Sequence, residues 1–481
     1  MKQTKFVLCL SVVGLLLAAM VDSASALTKI YGRGSSAGRQ MIGSTPSSNS
    51  FCLSSPTPKA YINSAVLTTV VDGNTVQDFS GIAQVTWVCN VSYSIPSLGI
   101  TITNEPVQIF YHSQESQNGW TVLNGQYGDP TTIDAVDPAN PGANCDDSPG
   151  VEHTVIAANS GQVSYFAYGG CTVTPAFASG NFGLSDVRST TFNQQGPLGT
   201  FSPPGGVPID VSNISDESVG IIPFGLFVSQ NVRKRNADGT VGGPLTNLTR
   251  RQIKAILQRD VRDWSAFGYG VTTDDTYTAF DPNSGITLCR RIAGSGTLAT
   301  LSATLYPELP TVDGAANGTG GKVIYRVSSS TLATDCFNET ATGQSRRDIG
   351  YLNAETILTR PHTRVTIEGV DANLPNDPGY VPGPGQDRDF DRKVNIACGR
   401  YDYWDEERMT RKTSGEGSNE NNLIRALADN IGSHTELAIP SGAFWVRTSD
   451  MKVTKSSGDA TPLNWIKSGG VVPAHPECTR G

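Results

Sequence analysis

Hydrophobic and polar residues follow one pattern in the first third of the chain and another in the rest. From about residue 43 to residue 161, short β-type runs at 83–88 and 107–111 stand between stretches rich in Ser, Thr, Asn, Pro and Gly. This pattern predicts a strand-rich region with long loops. From about Ser164 onward, β-type apolar runs alternate with amphipathic helical patterns. That alternation predicts a parallel sheet of βαβ units and an α/β fold class.

Individual elements of the second region can also be placed. The apolar run at 220–228 predicts a buried strand. Thr249 and Gln252 have the spacing of a capping box, which predicts that a helix begins there. A later helix is expected to begin at Ser418 or Asn419, because the apolar residues after them recur at helical spacing.

The first residues have the parts of a secretory signal peptide. Lys2 and Lys5 precede an apolar run at 6–20, and small residues at 24–26 supply a cleavage site. The apolar run is too short to span a bilayer, and no later run has the necessary length. We therefore expect a signal peptide at 1–26 and an exported protein, periplasmic or secreted, that does not span the membrane.

Cysteine usage favours an oxidising compartment. Of nine cysteines, Cys9 lies in the predicted signal peptide, which leaves an even number in the exported chain. None lies in a CxxC or CxxH pair, so disulfides are favoured over a metal site. Cys289 and Cys336 flank one predicted α/β unit, but the sequence does not settle the pairing. The five histidines are scattered, and we expect no metal and no cofactor.

The charge balance limits the partners of the chain. Its formal net charge is −8 at pH 7, and removal of the signal peptide makes the charge more negative by one. This balance disfavours nucleic-acid binding. An anionic ligand would have to be held by a few local cations and aligned amides, because the field of the whole protein repels it.

A cationic side chain stands shortly before a turn of glycines and hydroxyls. Arg291 precedes Gly294-Ser295-Gly296-Thr297. Backbone N–H groups at a helix N-terminus, two hydroxyls and a guanidinium together suit a tetrahedral oxyanion such as phosphate. A plain helix N-cap is the alternative, because Ser and Thr also occupy that position without any ligand.

Several motifs follow one another in a specific order. They are the glycine-rich turn at 34–38, the segment at 183–188, the helix at 248–264, the turn after Arg291, and Ile-Gly-Tyr at 349–351. In this order the chain resembles the phosphate-binding proteins of ABC transporters, which are type 2 periplasmic binding proteins. The resemblance covers roughly 28–40 and 162–480, and the Arg291 turn is its most specific part.

The resemblance implies a two-lobed α/β fold with the ligand between the lobes and hinge-like closure. A signal peptide would occupy 1–26, the first lobe 27–220 and 400–481, and the second lobe 221–399. The stretch at about 43–161 would be a strand-rich insertion in the first lobe, larger than anything the family needs at this place.

Carried over residue by residue, the resemblance implies a ligand-binding set of Ser35, Ser36, Ala37, Asp186, Arg291, Ser295, Gly296 and Thr297. An ionised aspartate only accepts hydrogen bonds, so Asp186 would favour an anion that carries a proton, as hydrogen phosphate does and sulfate does not at neutral pH. Arg291 would offset the ligand charge with a bidentate contact. The implied ligand is inorganic phosphate or a similar oxyanion, and the implied partner is an ABC transporter permease, for which no docking feature can be identified.

The chain departs from the family pattern near two of these motifs. Arg33 and Arg39 flank the first turn and either add positive charge near the ligand or face solvent. The Gly-Ser-Ser-Gly element of the family is replaced by Gly169-Gly170-Cys171-Thr172, so one expected serine ligand is either Thr172 or absent.

Other functions also fit part of the sequence. The turn at 34–38 matches the G-x-S-x-G nucleophile elbow of serine hydrolases, with Ser36 as nucleophile. That fold needs an earlier strand and loop to supply its oxyanion hole, whereas few mature residues precede Ser36. A binding protein without catalytic residues is therefore favoured. A secreted anion-binding scaffold or sensor is the remaining alternative, and the large insertion is its only sequence hint.

Overall fold

The computed structural model describes residues 27–48, 51–71, 74–77, 79, 81–143, 145, 154–156, 162–189, 192, 208–291, 294–304, 324–327, 336–338, 346–354, 356, 358, 360–372, 388–415, 417–433, 445–451, 453–455 and 465–466. The predicted signal peptide at 1–26 lies outside the described residues.

The strands, in chain order, are β1 (Thr28–Ser35), β2 (Lys59–Ile62), β3 (Thr68–Val71), β4 (Asn74–Gln77), β5 (Gln84–Ile95), β6 (Ile100–Gln114), β7 (Thr132–Val136), β8 (Thr154–Ile156), β9 (Tyr165–Tyr168), β10 (Val173–Ser179), β11 (Phe182–Ser185), β12 (Ile214–Ser229), β13 (Val232–Arg235), β14 (Val241–Pro244), β15 (Asn247–Leu248), β16 (Tyr269–Val271), β17 (Thr287–Arg291), β18 (Ile324–Val327), β19 (Asp348–Asn353), β20 (His362–Ile367), β21 (Trp404–Lys412), β22 (Thr454–Lys455) and β23 (Trp465–Ile466).

The α-helices whose bounds are described are α1 (Arg39–Ser44), α2 (Asn118–Thr121), α3 (Arg250–Leu257), α4 (Gly296–Thr304), α5 (Arg388–Ala397) and α6 (Asn419–Ser433). Each helix in the described ranges is too short or too polar to cross a membrane.

One large mixed sheet organises the molecule. Its strand order is β18-β17-β19-β12-β21-β11-β1-β6-β5-β2-β9-β8, with β20 beside β12 and β15 beside β20. β1, β6 and β11 are mutually parallel, and β17 is parallel to β18 and β19. The fold class is therefore α/β, as predicted from the sequence.

The two halves of the sheet run in opposite directions. β12 is antiparallel to both β19 and β21, and β21 is antiparallel to β11. As a result, the C-terminal ends of β1, β6 and β11 face the C-terminal end of β17 across the middle of the sheet. The prediction of a parallel sheet from about Ser164 onward is wrong for the strands that pass between the halves, because they are antiparallel to their neighbours. A βαβ unit is present in β17, α4 and β18, whose strands pair in parallel.

The long strand β12 belongs to both halves. Residues 214–223 pair with β21, and residues 224–229 pair with β19 and β20. The buried strand predicted at 220–228 is confirmed, since this part of β12 is buried throughout. The division into lobes at residue 220 and residue 400 stays a prediction.

The strand-rich region contributes directly to the central sheet. β5 and β6 form a long antiparallel hairpin, and the whole of β1 pairs in parallel with β6. β2, β9 and β8 extend the sheet beyond β5. An insertion outside the sheet would not supply such a strand, so β6 is part of the framework that positions the residues after β1.

Both predicted helices are present, although the first ends at Leu257 and does not reach Trp264. The backbone N–H of Gln252 donates to the Thr249 hydroxyl, and the Thr249 backbone N–H donates to the Gln252 side chain over 2.9 Å. Helix α6 begins at Asn419, where Ser418 Oγ accepts from the Asn421 backbone N–H. Its apolar face is buried, and the helix packs against β1, β5, β6 and β12.

Disulfides join residues that are distant in sequence. Three pairs have both members among the described residues: Cys52–Cys89, Cys145–Cys171 and Cys289–Cys336. The last pair joins the strand of Arg291 to the segment beyond β18, and it packs with Phe337 and Leu352. These bonds agree with the predicted preference for disulfides over metal ligation.

Candidate functional site

Three parallel strands end side by side at one edge of the sheet. The register places Gly34 of β1 opposite Ser113 of β6 on one side and Leu184 of β11 on the other. Because parallel strands share a direction, the residues after their C-terminal ends leave the sheet at the same edge. The turns that carry Ser36 and Asp186 therefore meet the turn that follows β6.

Glycines allow the backbones at this edge to pack unusually closely. Gly34 has φ +137°, and a Cβ placed on it would lie 2.0 Å from the Leu184 carbonyl oxygen. A Cβ on Gly183 would lie 1.9 Å from the carbonyl oxygen of Gly119 in α2. Neither position can accept a side chain without a shift of backbone. The backbones of β1, β11 and α2 consequently come within direct contact of one another.

The turn between β17 and α4 faces this edge from the other half of the sheet. The backbone N–H of Gly296 donates to Ser116 Oγ over 3.1 Å, and that of Gln117 donates to the Gly294 carbonyl over 3.0 Å. Thr297 Oγ1 donates to Asp186 Oδ2 over 3.4 Å. The structure thus brings the predicted residues of both halves together.

Ser295 caps helix α4. Its Oγ accepts from the backbone N–H of Leu298 over 3.4 Å. The N-cap interpretation of this turn is therefore correct for Ser295. The same hydroxyl keeps its hydrogen for donation to a further acceptor, so the cap and an anion contact are compatible.

In the first turn, two of the predicted ligand-binding residues make hydrogen bonds within the protein. Ser35 Oγ accepts from the backbone N–H groups of Ala37 at 3.0 Å and Gly38 at 2.9 Å. The same hydroxyl donates to Glu407 Oε2 over 3.3 Å. Ser35 and Ala37 thus shape the turn, whereas Ser36 lies beside them with 5% of its surface exposed.

Asp186 is a buried carboxyl with an unsatisfied oxygen. Its exposed fraction is 2%, and its Oδ1 has no hydrogen-bond partner among the residues that the structure describes. A Cβ built on Gly296 would lie 2.7 Å from this oxygen, so Asp186 points at the first residue of α4. Burial raises its pKa to about 6, although Arg291 and Ser35 act in the opposite direction.

Arg291 supplies the positive charge of the site. It is 2% exposed, and its backbone N–H donates to the Tyr351 hydroxyl over 3.1 Å. Burial lowers the pKa of its guanidinium, but Glu115 and Asp186 nearby raise it. Because an arginine keeps its proton at any pH a protein tolerates, the side chain remains cationic.

Three further acids, Glu115, Asp405 and Glu407, lie close to these groups, and sequence reasoning missed all three. Burial raises the pKa of Glu115 to about 8, and it raises the pKa of the fully buried Glu407 well above its usual range. At neutral pH the Glu115 carboxyl is therefore mainly neutral and does not cancel the charge of Arg291.

Ser116 is the other residue that sequence reasoning missed. It follows β6, and its hydroxyl lies at the start of α4. Thr172, the sequence-based candidate for the missing serine, is exposed after β9, and its backbone N–H donates to the Pro141 carbonyl. The signal that could have identified Ser116 is the long β-type run before it, which indicates a strand that ends shortly before this serine.

Both arginines that flank the first turn are buried, so the solvent-facing interpretation is wrong. Arg33 donates to the carbonyl of Pro130 over 2.8 Å and to the Gln114 side chain. Arg39 lies near Tyr111; burial raises the pKa of that phenol well above its usual range, and Arg39 acts in the opposite direction. Arg33 thus ties β1 to the segment before β7.

Comparison with known proteins gives only remote matches. No protein-family model matches the chain, and no curated protein matches it. A phosphate-binding protein from Stenotrophomonas maltophilia has 14% identity and a TM-score of 0.31, covering 56% of this chain and 76% of that one. An ABC-type phosphate transport receptor from Vibrio cholerae has 13% identity and a TM-score of 0.30, covering 52% and 73%. The ancestral soluble variant of the human phosphate-binding protein has 9% identity and a TM-score of 0.35, covering 87% and 90%. All three are described as phosphate-binding proteins or as a phosphate receptor.

Proposed function

We propose that this protein is an exported solute-binding protein that holds one protonated tetrahedral oxyanion, inorganic phosphate or arsenate, between the two halves of its sheet. The anion contacts would come from Ser36, Asp186, Arg291, Ser295 and Thr297. Ser35 and Ala37 would support the first turn, and Gly296 would bring its amide to the site beside Ser116.

The observation that carries this proposal is the buried Oδ1 of Asp186, which has no hydrogen-bond partner among the described residues. A buried acceptor without a partner costs free energy unless a ligand or water satisfies it. Asp186 lies at the N-terminus of a nine-residue helix and next to a buried guanidinium. Both features attract an anion. An anion that also satisfies a carboxylate acceptor must itself carry a proton.

The donors around Asp186 are sufficient for useful affinity. A hydrogen bond to a charged group contributes on the order of 1.5–3 kcal/mol. Arg291, which can donate through more than one N–H, the Ser295 hydroxyl and those amides at the start of α4 that are not already bonded would give several such contacts. After the cost of ordering the ligand, they can reach the roughly 8 kcal/mol of micromolar binding without any metal.

Calorimetric titration of phosphate and sulfate into the phosphate-stripped protein tests the proposal. We expect dissociation constants in the micromolar range for phosphate and at least about 100-fold weaker binding of sulfate at neutral pH, because sulfate has no proton for Asp186. Sulfate binding should strengthen below about pH 6, where Asp186 becomes protonated and can donate.

Two arginine variants supply the matched control. R291Q should weaken phosphate binding by about 100-fold or more, because it removes the buried cation. R347Q removes a buried arginine at the opposite end of the same half-sheet, where Arg347 pairs with Asp281 over 3.2 Å. It should leave phosphate affinity unchanged. Equal losses in both variants, or no phosphate binding by the folded wild type, would contradict the proposal.

The proposal includes delivery of the anion to an ABC-type permease. Uptake of labelled phosphate by the native host tests this part, and a strain without the protein should take up less. Unchanged uptake together with intact binding would favour a secreted scaffold or sensor instead.

The described histidines give no support to the hydrolase alternative. His112 is bonded to Gln114 and to the backbone N–H of Asp134, and His362 is bonded to Asp348 and the Arg360 carbonyl. Both ring nitrogens of His112 and of His362 are therefore bonded to groups outside the first turn.

A further inference from the structure

The carboxyl group of Glu115 lies within the proposed site. A Cβ built on Gly294 would be 2.8 Å from Glu115 Oε2, so this oxygen touches the turn that precedes α4. Its neighbour Ser116 accepts from the backbone N–H of Gly296. Glu115 Oε1 is buried and has no hydrogen-bond partner within the described part of the chain. The carboxyl is therefore held in place by its neighbours, with one oxygen unused.

Charged groups face Glu115 from three other parts of the fold. Arg291 at the end of β17 favours its ionised form, whereas Asp186 after β11 and Asp129 after α2 disfavour it. Asp129 accepts from Thr121 Oγ1 over 2.7 Å and from the Asn118 side chain, which fixes its position. Glu115 thus shares one cation with Asp186.

We propose that Glu115 is a further ligand-contacting residue of this site and that it donates its own proton to the bound oxyanion. The inference rests on the proposed function. It makes Glu115 the counterpart of Asp186, since Asp186 accepts a proton-bearing oxygen of the anion and Glu115 donates to another oxygen. The site would then recognise the anion through two acids, an ionised Asp186 that accepts a hydrogen bond and a neutral Glu115 that donates one.

This division of roles follows from the charges. If both carboxyls were ionised, the site would present two negative charges against one guanidinium and would repel a dianion. A neutral Glu115 removes that repulsion and adds a donor. Burial raises the pKa of Glu115 to about 8, so the neutral form dominates at physiological pH. As pH rises through about 8 the proton is lost, and affinity for the anion must fall.

Titration of phosphate from about pH 7 to about pH 10 into wild type and E115Q tests the inference. The second ionisation of inorganic phosphate falls near the start of this range, but it is the same for both proteins and cancels when their affinities are compared at each pH. The amide of E115Q keeps a donor and has no proton to lose. Because an amide donates more weakly than a carboxyl, E115Q should bind phosphate several-fold more weakly than wild type at neutral pH. Above about pH 8 wild-type affinity should fall relative to E115Q, approaching tenfold per pH unit.

A matched control removes an acid elsewhere. Glu217 on β12 is also largely buried with a raised pKa, but it faces Arg411 and Arg425. E217Q should follow the wild-type pH profile. Thermal unfolding of each variant checks that it is folded. Calorimetry in buffers of different ionisation enthalpy gives a second readout, because wild type near pH 9 should take up close to one more proton on binding than E115Q.

The outcomes separate the two claims. If wild type binds phosphate and R291Q does not, but wild type and E115Q have parallel pH profiles, the role of Glu115 is overturned and the proposed function stands. If E115Q binds tenfold tighter than wild type at neutral pH, Glu115 competes with the ligand and the inference is also wrong. If the folded wild type binds no phosphate at any pH, both claims fail.

Discussion

A single carboxyl, that of Asp186, links the ligand chemistry of this protein to its stability. Burial raises its pKa to about 6 from the ordinary 3.8. Between these values the folded chain keeps a proton that the unfolded chain has lost. The corresponding stability is therefore complete below about pH 4 and is lost as pH rises through about 6.

We predict that D186N removes this pH dependence. A shift from 3.8 to about 6 corresponds to on the order of 3 kcal/mol in the free energy of unfolding. Urea denaturation between about pH 4 and about pH 7 should show a correspondingly smaller loss of stability in D186N than in wild type. D281N, at an aspartate paired with Arg347, serves as control and should retain the wild-type slope. Parallel slopes for D186N and wild type would contradict the assignment.

For individual residues, the sequence predicted chemical roles better than it predicted contacts. Asp186 and Arg291 were predicted because their motifs are local, and both lie at the site. Glu115 and Ser116 were missed because nothing near them in sequence marks them as site residues. They reach the site only through the pairing of β6 with β1, which depends on contacts between distant parts of the chain.

Helix α3 shows how a local signal determines an element. Its capping box satisfies the first backbone N–H groups, and Ile253, Ile256 and Leu257 form its buried face. Both features can be identified within a dozen residues, so the helix was predicted correctly. Strand partners carry no such local signal, and for that reason the mixed direction of the sheet was not predicted.

The cap of α3 gives a prediction about stability. T249A should lower the free energy of unfolding by about 1 kcal/mol, because it removes the hydroxyl that accepts from Gln252. R251A changes an exposed residue in the same first turn and should alter stability by less than about 0.5 kcal/mol. Chemical denaturation measures both, and equal effects would show that the cap is not the cause.

At the scale of the whole molecule, we expect two of the disulfides to affect stability similarly and ligand binding differently. Cys289–Cys336 closes a separation of 47 residues and Cys145–Cys171 one of 26. Loop-closure entropy predicts similar losses on removal, about 4 and about 3.5 kcal/mol. Only the first bond holds β17, which ends at Arg291.

We therefore predict different effects on the ligand. C289A/C336A and C145A/C171A should lower the thermal midpoint by similar amounts. Phosphate affinity, measured well below those midpoints, should fall only in C289A/C336A, because β17 loses its anchor. Equal affinities in the two double variants would show that Arg291 is positioned without this bond.

The continuous strand β12 has a consequence for how the protein can be divided. A chain with two lobes joined by loops can often be cut there into pieces that fold alone, and a protease finds the same places. Here the passage between the halves runs through a paired strand whose second part is buried. Severing it near Gly220 would leave each fragment with an unpaired sheet edge, and such edges recruit other chains. We therefore expect each half to aggregate when it is produced alone. The two halves would then have to be synthesised and degraded together.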